Sequence, residues 1–171
     1  MERERTDAIR KRGLGMIRTC MKRNVISIPK KATIRQAAEL VIAHHIGQLP
    51  VVDAGGKLIG VVDLQDLLSL ELPDFFGLIP DFNFAHDFGA VETTHPSEEI
   101  LSQQIMTLAR PAISVTETSG LLRAYALMLK HDLHDIPVLD EGGRLVGIAS
   151  RVDIGTAILS LWNRPTSESH D

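Results

Sequence analysis

The chain has very little of what covalent or export chemistry would need. It has one cysteine, Cys20. A lone cysteine excludes an internal disulfide framework and fits a reducing compartment, with the cytoplasm as the default. No apolar run approaches the roughly 20 residues of a membrane span. The charged opening Met1-Glu2-Arg3-Glu4-Arg5 has no apolar segment of signal-peptide length behind it, so neither export nor insertion is expected. Positive charge is not in excess either: 18 Lys plus Arg against 22 Asp plus Glu leave a net charge of −4. Nothing in that field attracts a phosphate backbone or anionic lipid, so nucleic acid and membrane are not expected partners.

Catalytic signatures are also missing. There is no G-x-S-x-G elbow, no phosphate-binding glycine loop and no histidine close to Cys20 in sequence. An enzyme is not expected. His44 and His45, and the pair His131-x-x-His134, fall at helix ends, where they suit the carbonyl pole of the dipole. Without a third ligand nearby they make no metal site. Aromatic residues are only 4% of the chain, and all five phenylalanines (Phe75, Phe76, Phe82, Phe84 and Phe88) lie between Leu72 and Glu99. An exposed ring forgoes roughly 1.5 to 3 kcal/mol of burial, so this stretch is expected to cover something: its own domain, a dimer interface or a cleft.

The chain does contain a repeat, on a composition (44% hydrophobic) rich enough for a real core. Sliding the sequence along itself by 87 positions lays Ser27 on Ser114, Leu40 on Leu127, His44 on His131, Pro50 on Pro137, Asp53 on Asp140 and Asp66 on Asp153, with Gly55, Gly56 and Gly60 on Gly142, Gly143 and Gly147. Each copy reads strand, helix, strand, hairpin, strand, helix start. In the first, Val25 to Ile28 is a strand, and Thr33-x-x-Gln36 is a capping-box pattern opening a helix with the stripe Ile34, Ala37, Ala38, Val41 and Ile42, stopped at Gly47. In the second, Ala112 to Val115 is a strand and the helix carries Leu121, Ala124, Tyr125, Met128 and Leu129. The closing helix bears Ile154, Ala157, Ile158, Leu161 and Trp162 on one side. Copies of about 50 residues are too small to hide both faces of a sheet alone, so they should pack on one another.

One constellation offers a ligand site. Ser150-x-x-Asp153 is a capping pattern that would tie down the final helix. The same geometry aims a hydroxyl, a carboxylate and free backbone N–H groups outward, beside a strand opened by Gly147. A carboxylate there accepts from a vicinal diol such as ribose, and the N–H groups suit an anion. Ile113, Ile136 and Pro137 supply flat apolar walls for a base.

The duplicated order strand, helix, h-P-V-h-D, turn, G-h-x-[ST]-x-x-D resembles a tandem pair of CBS domains, the module named after cystathionine beta-synthase. The resemblance covers Ile17 to Leu70 and Gln104 to Leu161. It partitions the chain into an extension (1–16), a first motif (17–72), a Phe-rich linker (73–101), a second motif (102–162) and a tail (163–171). It implies an α/β (α+β) fold of two β-α-β-β-α motifs packed as a pseudo-twofold pair, usually dimerised, with adenosyl ligands in clefts between the copies. Position by position, it implies that Ser150 and Asp153 contact ribose and phosphate, that Ile113, His134, Ile136 and Pro137 line the adenine pocket, and that Arg151 lies beside the phosphate path. The first copy departs from the pattern, with Asp63 where Ser or Thr is usual. A carboxylate there repels phosphate by on the order of 1 to 4 kcal/mol, so that copy should be empty or take an uncharged ligand. Asp135 and Gln48 stand where nucleotide-binding members often have a basic side chain, which among AMP, ADP, ATP and S-adenosylmethionine weakens the case for the triphosphate and favours AMP or S-adenosylmethionine.

The expected function is that of a stand-alone regulatory sensor, a homodimer that binds an adenosyl compound and signals to an unidentified effector protein. The rival is a structural adaptor with no ligand that works through its Phe-rich surface.

Overall fold

A computed structural model describes residues 15–72 and 95–162. All five phenylalanines lie outside the described residues, and so does the expectation that their stretch covers its own domain, a dimer interface or a cleft. The elements follow the repeat. In the first copy β1 (Ile28–Pro29), α1 (Ile34–His44), β2 (Gln48–Val52), β3 (Leu58–Asp63) and α2 (Leu64–Leu68) come in order. After the short α3 (Glu98–Leu101), the second copy gives β4 (Val115–Thr116), α4 (Leu121–Lys130), β5 (Asp135–Leu139), β6 (Leu145–Ser150) and α5 (Arg151–Trp162). The two three-stranded sheets have the orders β1-β2-β3 and β4-β5-β6. In the second, β4 runs parallel to β5, with Val115 beside Val138, and β5 runs antiparallel to β6, with Asp135 opposite Ser150 and Ile136 opposite Ala149.

Local chemistry explains these elements. Thr33 caps α1 in a full capping box: its side chain accepts from the Gln36 N–H at 3.3 Å, and Gln36 Oε1 accepts from the Thr33 N–H at 3.0 Å. Each hairpin turns on an aspartate that accepts two backbone N–H groups. Asp53 Oδ1 takes those of Gly55 and Lys57, and Asp140 Oδ1 those of Gly142 and Arg144. The last glycine of each turn sits at φ +77° (Gly56) or +78° (Gly143), a conformation that side chains resist.

The structure corrects several details. Both first strands are two residues long and begin later than expected, because the preceding residues pair with no strand. Helix α1 stops at His45, which is itself left-handed at φ 50°, two residues before Gly47; Asp132 has the same φ at the matching end of α4. Ile42, Leu129 and Trp162 leave the expected stripes and are exposed, whereas Leu40 packs on the core.

The chain packs as two compact units, each with its own core. One contains the described parts of Met1–Val25 and Ala112–Asp171 together with Val52–Leu58; the other contains Ile26–Val51 and the described parts of Ile59–Pro111. Sequence continuity and packing therefore divide the chain differently. Ile17 is fully buried among Leu121, Met128, Ile136 and Ile154 of the second copy, and its N–H bonds Ser119 O at 2.9 Å. Ile105 is fully buried among Ile34, Leu49 and Val62 of the first copy, and its N–H bonds Ala32 O at 2.8 Å. Each buried isoleucine contributes roughly 1.5 to 3 kcal/mol, so these segments are parts of the cores they enter.

Candidate functional site

The segment at 15–22 crosses β6 where that strand has no side chain. Lys22 and Ile148 exchange backbone hydrogen bonds at 2.8 and 3.0 Å. A Cβ on Gly147 would stand 2.6 Å from Met21 Sδ and 3.3 Å from Lys22 O, so any larger residue would force the Met21 side chain and the crossing segment to shift. This crossing brings Thr19, Cys20 and Lys22 to the start of α5, where Ser150 and Asp153 stand.

Ser150 and Asp153 form a reciprocal cap. The Asp153 N–H donates to Ser150 Oγ at 3.1 Å, and the Ser150 N–H and hydroxyl both donate to Asp153 Oδ2, at 3.0 and 2.8 Å. Lys22 Nζ approaches the same oxygen at 3.5 Å. Every one of the contacts to the carboxylate falls on Oδ2. Among the described residues none falls on Oδ1, and the side chain is 23% exposed. Partial burial opposes ionisation of Asp153, but the Ser150 hydrogen bonds and the Lys22 charge outweigh it and hold the carboxyl below its ordinary pKa. Asp153 is thus an ionised, oriented acceptor. It lines a depression of about 400 Å³ with Thr19, Cys20, Thr156, Ser160 and Leu161. Burial, and then the nearby Asp153 charge, push the Cys20 thiol pKa up, which disfavours its thiolate form.

The other expected site residues are not gathered at this depression. Ile136 has no exposed surface and belongs to the core of the unit; Pro137 is buried, and Ile113 is half-buried. Ile136 therefore presents no apolar wall here. His134 is exposed, and its carbonyl accepts from the Arg151 N–H at 2.9 Å. Arg151 turns to the end of α4, where its guanidinium donates to Leu133 O and to Asp132 Oδ1, the latter at 2.8 Å. That hydrogen bond and charge lower the Asp132 pKa.

The first copy reproduces the crossing. Arg110 and Val61 exchange backbone hydrogen bonds at 2.9 Å, and a Cβ on Gly60 would lie 3.0 Å from Arg110 O. Here the cation is more deeply engaged. Arg110 Nη2 donates to Asp63 Oδ2 at 2.5 Å, and Nε contacts both oxygens of Asp66, at 3.0 and 3.1 Å. The hydrogen bond to Asp66 leads the causes that raise the Arg110 pKa. The carboxylate pair expected to repel phosphate is thus bridged by a guanidinium.

Lys22 and Arg110 are the residues that reading by repeat missed, and a signal for them exists. Ile17-Arg18-Thr19-Cys20-Met21-Lys22 and Ile105-Met106-Thr107-Leu108-Ala109-Arg110 share Ile, Thr and a terminal base at a spacing of 88. A gap-free shift of 87 slides past them by one residue.

Comparison with known proteins agrees with this architecture. The CBS domain family model matches residues 17–72 and 103–160. The chain is 30% identical over 134 residues to the chloroplastic CBS domain-containing protein CBSX1 of Arabidopsis thaliana, covering 75% of this chain and 57% of that one. It is also 30% identical over 128 residues to a homoserine O-acetyltransferase of Methanocorpusculum labreanum, covering 75% of this chain but only 21% of that enzyme. The chain thus spans well under two thirds of the length of either relative. Among solved structures, CBSX2 in complex with AMP superimposes with a TM-score of 0.62 at 26% identity, over 88% of this chain and 97% of that one. With two family matches that together take in more than half of its length, the chain belongs to the CBS domain family and carries two CBS motifs.

Proposed function

We propose that this chain is a regulatory ligand sensor that binds an adenosyl compound at the start of α5 and reports it to a partner protein. The observation that carries this reading is the division of labour within one carboxylate. Asp153 Oδ2 takes every local donor, while Oδ1 takes none among the described residues, at the edge of a 400 Å³ depression. An oriented anionic acceptor of this kind suits a ribose diol, with Thr19, Thr156 and Ser160 offering further hydroxyls. The AMP complex of the similar CBSX2 structure supports the adenosyl class. Asp135, opposite Ser150 on β5, disfavours a triphosphate, so AMP and S-adenosylmethionine rank above ATP. Within this reading the protein acts in the cytoplasm without turnover. It forms a homodimer through apolar side chains such as Ile42 and Leu129, which stand 71% and 55% exposed at matching positions of the repeat.

A thermal-shift panel with AMP, ADP, ATP and S-adenosylmethionine tests the proposal. A ligand at 100 times its Kd should add roughly 2.7 kcal/mol of stability. Asp153→Ala should abolish the shift and Asp66→Ala should preserve it. Equal loss in both variants contradicts the assignment to the second copy, and no shift with any compound supports the adaptor.

A further inference from the structure

The end of the first motif leaves a row of leucine side chains uncovered. Leu67 and Leu70 pack against the core of their unit, but Leu64, Leu68 and Leu72 are 41%, 54% and 44% exposed. Leu64 and Leu68 stand one turn apart on the same side of α2, and Leu72 follows the 3-10 turn, Ser69–Glu71, that prolongs the helix. At about 1.5 Å per residue the three span roughly 12 Å. Single exposed leucines are ordinary, whereas an aligned row marks a face that something covers.

The Phe-rich stretch follows Leu72 in the chain, and the described residues fix where it starts and stops. Residues 73–94 lie between Leu72 and His95, and His95 Nδ1 stands 3.5 Å from Glu71 Oε1. The return is anchored in the same core. Ser97 caps α3, Arg35 Nη2 donates to both carboxylate oxygens of Glu98 at 2.6 Å, and Ile100 and Leu101 pack against the core that Leu67 and Leu70 touch. The 22 intervening residues therefore leave and rejoin their unit at one end of the leucine row. They contain all five phenylalanines with Leu78 and Ile79, and four carboxylates with no Lys or Arg.

We propose that Leu64, Leu68 and Leu72 are the docking surface for the chain's own segment 73–94, whose phenylalanines cover the row. A segment tied at both ends meets a face beside its own base at an effective concentration on the order of millimolar, which favours it over a second copy or a foreign protein. Charge works the same way. Four carboxylates without a compensating base oppose the meeting of two such segments across a dimer. Exposed rings and exposed leucines each leave apolar surface in water, and one contact removes both losses. This surface does not depend on the ligand proposed at Asp153.

Disulfide trapping in the full chain tests the docking, because a bond forms only where two Cα atoms come within roughly 7 Å. In a Cys20→Ser background, Leu68→Cys is combined in turn with Phe82→Cys, Phe84→Cys and Phe88→Cys. Mild oxidation should join at least one pair within a single chain, seen as a faster monomer band on a non-reducing gel that reverts on reduction. Leu122→Cys, on another exposed helix face, should join none of the three. Bonds formed only between chains would make the occupant a second copy and overturn the inference. So would the absence of any bond, or trapping at Leu122→Cys as efficient as at Leu68→Cys. Thermal unfolding gives an independent reading. Leu64→Gln with Leu68→Gln should lower Tm by several degrees, as should Phe82→Ser with Phe84→Ser, and all four together should lower it by less than the sum, since residues in contact are not additive. An unchanged Tm for the leucine pair, as bare surface residues would give, overturns the docking, as does full additivity. A leucine pair that lowers the oligomeric mass overturns it too, by making the row an interface between copies.

Discussion

Gly60→Ala and Gly47→Ala add the same methyl group to the same copy and should move stability in opposite directions. At Gly60 the new Cβ would lie 3.0 Å from the Arg110 carbonyl oxygen and 3.3 Å from Ala109 Cβ. The obstacle is backbone, tied on both sides by the 2.9 Å bonds between Val61 and Arg110. The crossing segment must retreat by a few tenths of an ångström against those bonds, an overpacking strain of about 1 to 3 kcal/mol. At Gly47 nothing lies within 4 Å and φ is not positive, so alanine merely restricts the unfolded chain and gains about 0.4 to 1 kcal/mol. For a chain of this size each kcal/mol moves Tm by roughly 2 to 4 °C. Thermal unfolding should therefore place Gly60→Ala several degrees below wild type and Gly47→Ala slightly above it. Equal shifts of the same sign would refute the claim that the close crossing, and not glycine's flexibility, fixes Gly60.

Three further outcomes are expected. His45→Gly relieves a left-handed non-glycine residue, worth roughly 1 to 2 kcal/mol before glycine's own entropic cost, and should raise Tm by a few degrees; a lower Tm in calorimetry would mean the His45 side chain makes a contact of its own. Ser150→Ala removes the hydroxyl that caps α5 and should cost about 0.5 to 2 kcal/mol in urea unfolding, with faster amide exchange confined to the first turn of α5. Because the folded pKa of Asp153 is depressed, its contribution is complete above the unfolded value of about 3.9 and is lost as pH falls through the lower folded value. Lys22→Ala should therefore destabilise by no more than about 1 kcal/mol above pH 4, a deficit that vanishes at lower pH. A deficit that grows on acidification would contradict the pairing.

Much of the fold was legible because its signals are local. The Asp-x-Gly-Gly turns, the Thr33 and Ser150 caps and the three-and-four spacing of Ile34, Ala37 and Val41 act between residues a few positions apart. The helix stop at His45 was not legible, since nothing in the histidine side chain announces a left-handed backbone. The exposure of Ile42, Leu129 and Trp162 escaped for another reason: periodicity names a stripe, and only packing shows which edge of the stripe meets the core.

The candidate site divides along the same line. The sequence by itself determined the duplication, the family and the pairing of Ser150 with Asp153, because repetition and caps are written in residue order. Tertiary structure decided which oxygen of Asp153 stays open, that Lys22 attends it, and that Arg110 bridges Asp63 and Asp66. Those outcomes depend on segments 15–22 and 103–110 each entering the core of the copy that does not follow them in the chain. Burial of Ile17 and Ile105 and the strand bonds at Ile148 and Val61 drive that exchange. Such partners are about 130 and 50 residues from the side chains they serve, and no spacing rule along the chain connects them.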